Sequence, residues 1–575
     1  MKTILTAINA KYIHSNLAVY CLRAYAREYA KETGDVIIAE YTINQQVDDI
    51  LMDLYKQQPD VLCFSCYLWN ISYVEELITE ISKILPGTVI WVGGPEVSYN
   101  AVEVLERMPQ ITGVMVGEGE ETFSDLMRYY NGSEVPLKTG HYLNGLAGIA
   151  GIVYRSGDGA ICENELRPVI DLSTVPFVYH DMEEFRNKII YYETSRGCPF
   201  SCSYCLSSID KCLRFRDVEL VKKELQFFID NEVPQVKFVD RTFNCRHDHA
   251  MAVWSYIAEH DRGITNFHFE VAADLLNEEE LSLIETMRPG LIQLEIGIQS
   301  TNEQTIEEIH RTMKFEKVAE IVKRINRARN VHQHLDLIAG LPYENYESFG
   351  RSFNDVYALQ PEQLQLGFLK VLKGSYMGTQ AERYELLYQT RPPFEVLATR
   401  WLPYPDVMRL KGLEDMVEVY YNSRQFTQTM PILERAFDTP FSLYEDLAAY
   451  YEEQGLNMVN HSRVARYQIL FDFAILRDAK NREMYREALT FDLYLRDNLK
   501  NRPELCGELT VMKEESRMFY EEEAQDHRYL PGYEGFDKNQ LRKMTHLERI
   551  GGKITLFDYR NRNPLDNQAR TVVIG

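Results

Sequence analysis

Twice along this chain, short apolar runs of strand length alternate with amphipathic segments of helix length. That double βα rhythm restricts the possible folds more than any other feature. The first series opens with KTILTAINA from Lys2, followed by SNLAVYCLRAYAREYA, in which Leu17, Tyr20, Cys21 and Tyr25 fall on one helical face. DVIIAEYTI, DVLCFSCYL, GTVIWVGGPEV and ITGVMVGEGEETFSDLMRYY supply further strands, with the helices VDDILMDLYKQQ and ISYVEELITEISKIL between them. Apolar strands joined by crossover helices build a doubly wound parallel sheet, which the pattern predicts over residues 1–135.

Residues 136–188 change character and read as a connector with a hairpin around Ser156, Gly157, Asp158 and Gly159. From Ile189 the alternation restarts with IIYYETSRG, QVKFVDRTF, NFHFEVAA, LIQLEIGIQS, HLDLIAGLP and QLQLGFLKVL. Six strands with intervening helices predict an open, partial (β/α)6 barrel over 189–385, with its chemistry at the C-terminal strand ends. The rhythm is lost beyond it. Segments such as SLYEDLAAYYEEQGL and VARYQILFDFAILRDA predict a mainly helical C-terminal domain over 386–575, a candidate substrate lid, ending in the strands KITLFDYRN and ARTVVIG. The fold class is α/β.

In a doubly wound sheet, ligands bind outside the carboxyl ends of the strands. Those ends carry Ala10 to Ser15, Ser65 to Asn70, Val92 to Glu96 and Val116 to Glu121, rich in Gly, Ser and Asn. No G-x-G-x-x-G follows the first strand, and GEGEET is acidic where a pyrophosphate would sit, so a dinucleotide is not the expected ligand.

The net charge of −24 and the lack of a Lys/Arg stripe argue against extended nucleic-acid binding. No apolar run is long enough to span a bilayer. The first segment is interrupted by Lys11 and His14 and lacks a cleavage signature, so a cytoplasmic location is the expectation. Ten cysteines in a long chain of this kind do not read as a disulfide framework, which turns attention to metal or redox chemistry.

Cys198, Cys202 and Cys205 stand in SRGCPFSCSYCLSS, in the loop after the first barrel strand. Structural zinc takes four ligands, commonly in two pairs, and no second C-x2-C lies near. Cys212 and Cys245 stand as further candidate ligands, while the pair Cys63 and Cys66 falls inside an apolar strand, where small buried thiols are common. A redox dithiol leaves the third thiol unexplained. A 4Fe-4S cluster on three thiolates leaves one iron open.

The C-x3-C-x2-C spacing, with Tyr204 before the last Cys, resembles the signature of the radical S-adenosylmethionine superfamily, and its place after the first strand of a partial barrel matches that family. The resemblance implies that Cys198, Cys202 and Cys205 hold a 4Fe-4S cluster whose open iron binds S-adenosyl-L-methionine and cleaves it to a 5′-deoxyadenosyl radical. It implies cofactor contacts from Tyr204, Asp240, Thr242, Glu270, Gln299, Ser300 and Pro342 at the strand ends.

A doubly wound domain ahead of such a barrel, with GGPEV and VGEGEETF at its strand ends, resembles the cobalamin-binding subgroup of that superfamily, in which the corrinoid lies between the two domains. Implied cobalamin contacts are Ala10, His14, Ser65, Tyr67, Leu68, Gly93, Gly94, Pro95, Gly117, Glu118 and Gly119. The D-x-H-x-x-G motif is missing; NAKYIHSNLA, with the single His14, stands in its place. His332 and His334 in VHQHLD alternate along a strand, one of them expected to face the barrel interior.

The resemblance implies a methyltransferase that acts on an unactivated carbon or phosphorus centre. Its alternatives are cyclisation, ring contraction or rearrangement with the same cofactors, and a cobalamin or iron-sulfur sensor. The implied partners are a small-molecule or peptide substrate and an electron donor such as flavodoxin or ferredoxin, without membrane or nucleic acid.

Overall fold

The computed structural model describes residues 1–30, 34–132, 145–563 and 565–574. The expected boundary at 135/136 lies outside the described residues, as do the first two residues of the segment LNGLAG.

Strands β1 (Lys2–Asn9), β2 (Asp35–Thr42), β3 (Val61–Ser65), β4 (Val89–Gly93) and β5 (Gly113–Met115) are parallel, in the order β2-β1-β3-β4-β5. The order reverses between β1 and β3, and the crevice at that switch opens beyond their carboxyl ends. Helices Leu17–Tyr29 and Glu120–Tyr130 cover one face with Tyr20, Ala26, Phe123 and Leu126. Val47–Gln57 and Ile71–Ile84 cover the other with Ile50, Leu54, Leu77 and Ile81. Asn16 caps the first helix by accepting from the Val19 N–H at 3.4 Å.

The connector hairpin, β6 (Ile152–Arg155) and β7 (Ile161–Glu163), pairs antiparallel with β5 and so becomes the edge of the first sheet. The short β5 would otherwise leave its ladder groups open.

β8 (Ile190–Tyr192) begins the barrel. A small ribbon of β9 (Ser195–Arg196) and β10 (Arg214–Phe215) follows it, and β11 (Gln235–Phe238), β12 (Asn266–Val271), β13 (Ile292–Gln299), β14 (His332–Ala339) and β15 (Gln363–Phe368) complete a six-stranded parallel sheet in sequential order. The outward-facing side chains, among them Phe238, Phe267, Phe269, Leu294, Ile296, Leu335 and Leu337, are buried under the surrounding helices.

The inward-facing positions differ from the branched apolar layers common in closed barrels. Tyr191, Lys237, His268, Gln293 and His332 are register partners in one row. Glu270, Glu295, His334 and Gln363 form the next row, and Gly297, Asp336 and Gln365 the one above it. The chamber is therefore polar. His332 and His334 are both in it, a correction to the expectation that one of them faces inward, because residues two apart on a strand point to the same side.

The C-terminal region is mainly helical, with Tyr404–Val417, Pro440–Glu453, Arg463–Arg477 and Arg482–Arg496 as long elements. An antiparallel sheet closes the chain: β18 (Thr545–Ile550), β19 (Lys553–Arg562) and β20 (Ala569–Ile574), numbered after the short pair β16 (Leu387–Tyr388) and β17 (Val396–Ala398). No helix among the described residues is long and apolar enough to cross a membrane.

Candidate active site

The β9–β10 ribbon carries the cysteine loop. At its start Gly197 has φ +90°, and a Cβ there would come within 2.9 Å of the Cys212 carbonyl oxygen, so the turn requires glycine. The Cys198 N–H donates to the Asp210 carbonyl at 3.2 Å and the Cys205 N–H to that of Cys202 at 3.2 Å. Between them, the Ser203 N–H donates to the Ile309 carbonyl at 2.9 Å, and the Ser203 carbonyl accepts from the Met377 N–H at 2.7 Å. The loop is thus pinned to the segments that follow β13 and β15.

The three thiols share one cavity of about 200 Å³ with Tyr204, Arg241, Thr242, Glu270, Asp274, Glu295, Gln299, Arg311 and Asp336. Cys198 Sγ lies 3.7 Å from Thr242 Oγ1, and Arg311 Nη1 lies 3.7 Å from Cys202 Sγ and 3.3 Å from the Tyr204 hydroxyl. Burial raises the Cys198 thiol above its ordinary pKa, so its charged form needs a positive partner. Burial also raises Glu270, to about 7.

The thiols are not among the described groups whose donor atoms all lie within 4.8 Å of one another, the spread a single ion needs. Three buried or half-buried sulfurs set wider than that, around a cavity, fit a polynuclear cluster better than one zinc. Gln299 supplies a second fit. Its Oε1 is buried without a hydrogen-bond partner beside the cavity, and its Nε2 occupies the place where a Cβ on Gly297 would sit.

Of the residues named from sequence as S-adenosylmethionine contacts, Tyr204, Thr242, Glu270 and Gln299 come together with the thiols. Asp240, Ser300 and Pro342 do not line this cavity. The Asp240 carboxylate is fully buried beneath β9, accepting from the Thr194 N–H at 3.0 Å and from the Thr194 and Ser195 hydroxyls at 2.6 Å each; burial lifts it to about 6. The Ser300 hydroxyl donates to Glu344 Oε1 at 2.7 Å, and the Pro342 carbonyl accepts from the Thr305 hydroxyl at 2.9 Å. These three residues build the support of the site.

Arg241, Arg311, Glu295 and Asp336 escaped the sequence reading. The last two had a visible signal, since each is a charged residue flanked on both sides by apolar ones within a strand. Arg311 follows the helix Glu303–Glu308 and had none.

On the facing edge of the first domain, Tyr12, Ile13, Trp69 and Tyr99 are exposed at the ends of β1, β3 and β4, and Tyr67 stacks on Trp69 with ring centroids 4.5 Å apart. Gly117 has φ +77° and nothing within 4 Å of the position its Cβ would take. An apolar rim beside an open glycine suits a broad macrocycle. Ala10, Leu68, Gly93 and Pro95 lie half-buried on the same edge, and Gly119 backs onto Leu22. Gly94 packs on Cys66, and the Ser65 hydroxyl accepts from Asn16 at 3.2 Å.

Two of the cobalamin residues named from sequence are engaged elsewhere. Glu118 accepts from Arg196 at 2.6 Å, from Arg214, and from the Ile170 N–H at 2.8 Å, so its carboxylate ties the first domain to the cysteine ribbon. His14 Nδ1 lies 2.5 Å from the Tyr191 hydroxyl, beside the lowest row of the barrel, and burial together with Lys11, Lys237 and Lys188 holds its pKa below the ordinary value.

A doubly wound domain whose ligand edge faces a three-cysteine loop on an open (β/α)6 barrel defines a cobalamin-binding radical S-adenosylmethionine protein. The comparisons agree. The B12 binding domain model matches residues 4–127 and the Radical SAM superfamily model residues 192–356, and the chain belongs to this class; the family Protein of unknown function (DUF4080) matches 382–574. The chain is 24% identical over 363 residues to the cobalamin-dependent radical SAM methyltransferase TokK of Streptomyces tokunonensis, covering 58% of this chain and 51% of that one. It is 20% identical over 346 residues to the anaerobic magnesium-protoporphyrin IX monomethyl ester cyclase of Rubrivivax gelatinosus, covering 57% and 60%. It thus spans about half the length of the first relative and less than two thirds of the second. The solved structure of the cobalamin-dependent S-adenosylmethionine radical enzyme OxsB, with aqua-cobalamin and S-adenosylmethionine bound, superposes with a TM-score of 0.55 at 18% identity, over 86% of this chain and 79% of that one. This likeness establishes the shared fold.

Proposed function

We propose that the protein is a cobalamin-dependent radical S-adenosylmethionine enzyme that transfers a methyl group to an unactivated carbon or phosphorus centre of a small-molecule or peptide substrate. One observation carries the reading: the thiols of Cys198, Cys202 and Cys205 open into a polar barrel chamber, at the mouth that faces the ligand edge of the first domain. When bound, the cluster, S-adenosylmethionine and corrinoid supply radical hydrogen abstraction and a methyl donor.

The chain's own residues bind and orient. Cys198, Cys202 and Cys205 hold the cluster, and Arg311 places a cation beside Cys202. Thr242, Glu270 and the unpartnered amide oxygen of Gln299 offer polar contacts to the amino-acid and ribose parts of S-adenosylmethionine. Tyr12, Trp69 and Tyr99 give the corrinoid an apolar rim. An electron donor such as flavodoxin or ferredoxin completes the reading, as does a cytoplasmic setting in which thiols stay reduced.

Similarity to the cyclase favours a second reading, in which the same cofactors drive ring formation without methyl transfer. One assay separates the two. The anaerobically reconstituted full chain, with iron and corrinoid quantified, is reduced and assayed for 5′-deoxyadenosine, S-adenosylhomocysteine and methylated product. Deoxyadenosine without S-adenosylhomocysteine removes methyl transfer, and turnover that survives in C202A removes the cluster assignment.

A further inference from the structure

Glu295 of β13 and His334 of β14 are direct register partners, and Asp336 stands two residues beyond His334 on the same inward face. The donor atoms of the three all lie within 4.8 Å of one another. His334 is only 6% exposed. Its Nε2 stands 3.0 Å from Asp336 Oδ1, an ion-pair contact in which the ring N–H is not aimed along a hydrogen bond.

The spacing has a direct chemical meaning. Two ligands bound at about 2.1 Å to one ion, at right angles, stand about 3.0 Å apart and share no proton. Lys237 donates to Glu295 Oε2 at 3.1 Å, which fixes that oxygen and leaves Oε1 for a ligand; His268 Nε2 pairs with the same Oε2 at 3.0 Å.

We propose that Glu295, His334 and Asp336 form a binding site for a divalent first-row transition ion in the barrel wall, separate from the cluster thiols. Two carboxylates neutralise a doubly charged ion, and the imidazole selects manganese, iron or zinc over magnesium and calcium. Glu295 and Asp336 also line the cavity that holds the three thiols, so the remaining coordination positions of the ion face the substrate chamber. They suit an anionic oxygen donor. The site would hold a substrate carboxylate or phosphate at a set distance from the cluster, a role independent of whether the enzyme methylates or cyclises.

The test titrates Mn2+ into the full chain carrying its oxidised, EPR-silent cluster, and follows free Mn2+ by room-temperature EPR. The wild type is expected to take up one equivalent that H334Q and D336N each lose or bind at least tenfold more weakly, with the cluster absorbance and circular dichroism unchanged. Should either variant misfold, E295Q replaces it. The C198A/C202A/C205A chain is expected to retain the ion, and Zn2+ to displace it. The proposal is overturned by any of three results: no wild-type binding up to millimolar Mn2+, equal binding in the histidine and carboxylate variants, or loss of binding when only the thiols are removed.

Discussion

Arg311 sets its Nη1 3.7 Å from Sγ of Cys202, and its Nη2 donates to the Gly297 carbonyl of β13. A guanidinium in that place stabilises whatever negative charge accumulates on the sulfurs. A cluster that gains an electron gains such charge. Replacing Arg311 with Met is therefore expected to shift the cluster midpoint potential to more negative values, by roughly 50 mV or more, with iron retained. An EPR-monitored redox titration of wild type and R311M measures this, and an unchanged potential would show that the arginine serves packing alone.

Arg196 binds Glu118 at 2.6 Å, Glu120 at 2.8 Å and Glu193 at 2.7 Å, joining the strand-end edge of the first domain to the root of the cysteine loop. Glu120 is buried, so removing its partner strands a charge. R196M is expected to cost roughly 3 kcal/mol or more and to lower the corrinoid content of the purified protein. Restoring neutrality with E120Q in the R196M background should recover part of the thermal stability. A double variant no more stable than R196M would count against the buried-charge account.

Gly94 and Gly117 both take positive φ at strand ends, but their surroundings differ. A Cβ on Gly94 would come within 2.5 Å of the Cys66 carbonyl oxygen, whereas Gly117 has open space. G94A should destabilise the first domain outright. G117A should cost only the backbone strain of about 1 kcal/mol while the new methyl intrudes on the corrinoid surface. The comparison to make is melting temperature against corrinoid affinity: G117A should lose affinity far out of proportion to its stability, and equal losses in both would place the corrinoid elsewhere.

Glu344 is buried under β14, its Oε1 accepting from the hydroxyls of Ser300 at 2.7 Å and Ser352 at 2.9 Å, while Oε2 has no partner. Burial raises its pKa to about 7. The folded protein then keeps a proton that the unfolded chain gives up near its ordinary value, so this residue makes stability fall as pH rises from about 4.5 to 7, at most by about 1.4 kcal/mol per unit. E344Q has no proton to lose. Its melting temperature is expected to exceed that of wild type at pH 8 and to match it near pH 4.5; a constant difference across that range would show that Glu344 does not titrate there.

How much of this was legible in the chain follows from the distance over which each signal acts. Strand and helix periodicity, the C-x3-C-x2-C spacing and the glycines at strand ends are local patterns, and the doubly wound domain, the open barrel and the grouping of three thiols in one loop follow from them. The inward rows of the barrel were half visible. Glu295 and Asp336 each stand between apolar neighbours on their strands, but their meeting depends on register between β13 and β14, which no single strand encodes. The connector hairpin announced itself through its turn, while its place on the edge of the first sheet depended on which strand was left uncovered.

The rest belongs to tertiary structure alone. Glu118 looked like a ligand-edge residue because it sits between two glycines at a strand end; the fold gives its carboxylate to Arg196, 78 residues away. Asp240 and Ser300 stand at strand ends too, yet buried hydrogen bonds turn them into support. Arg311 reaches Cys202 across 109 residues. Charge pairs and hydrogen bonds have no period along a chain, because they form between whichever side chains packing brings together. Sequence by itself determined the architecture and the three-cysteine loop, and only the packed barrel decided which charged groups face the chamber.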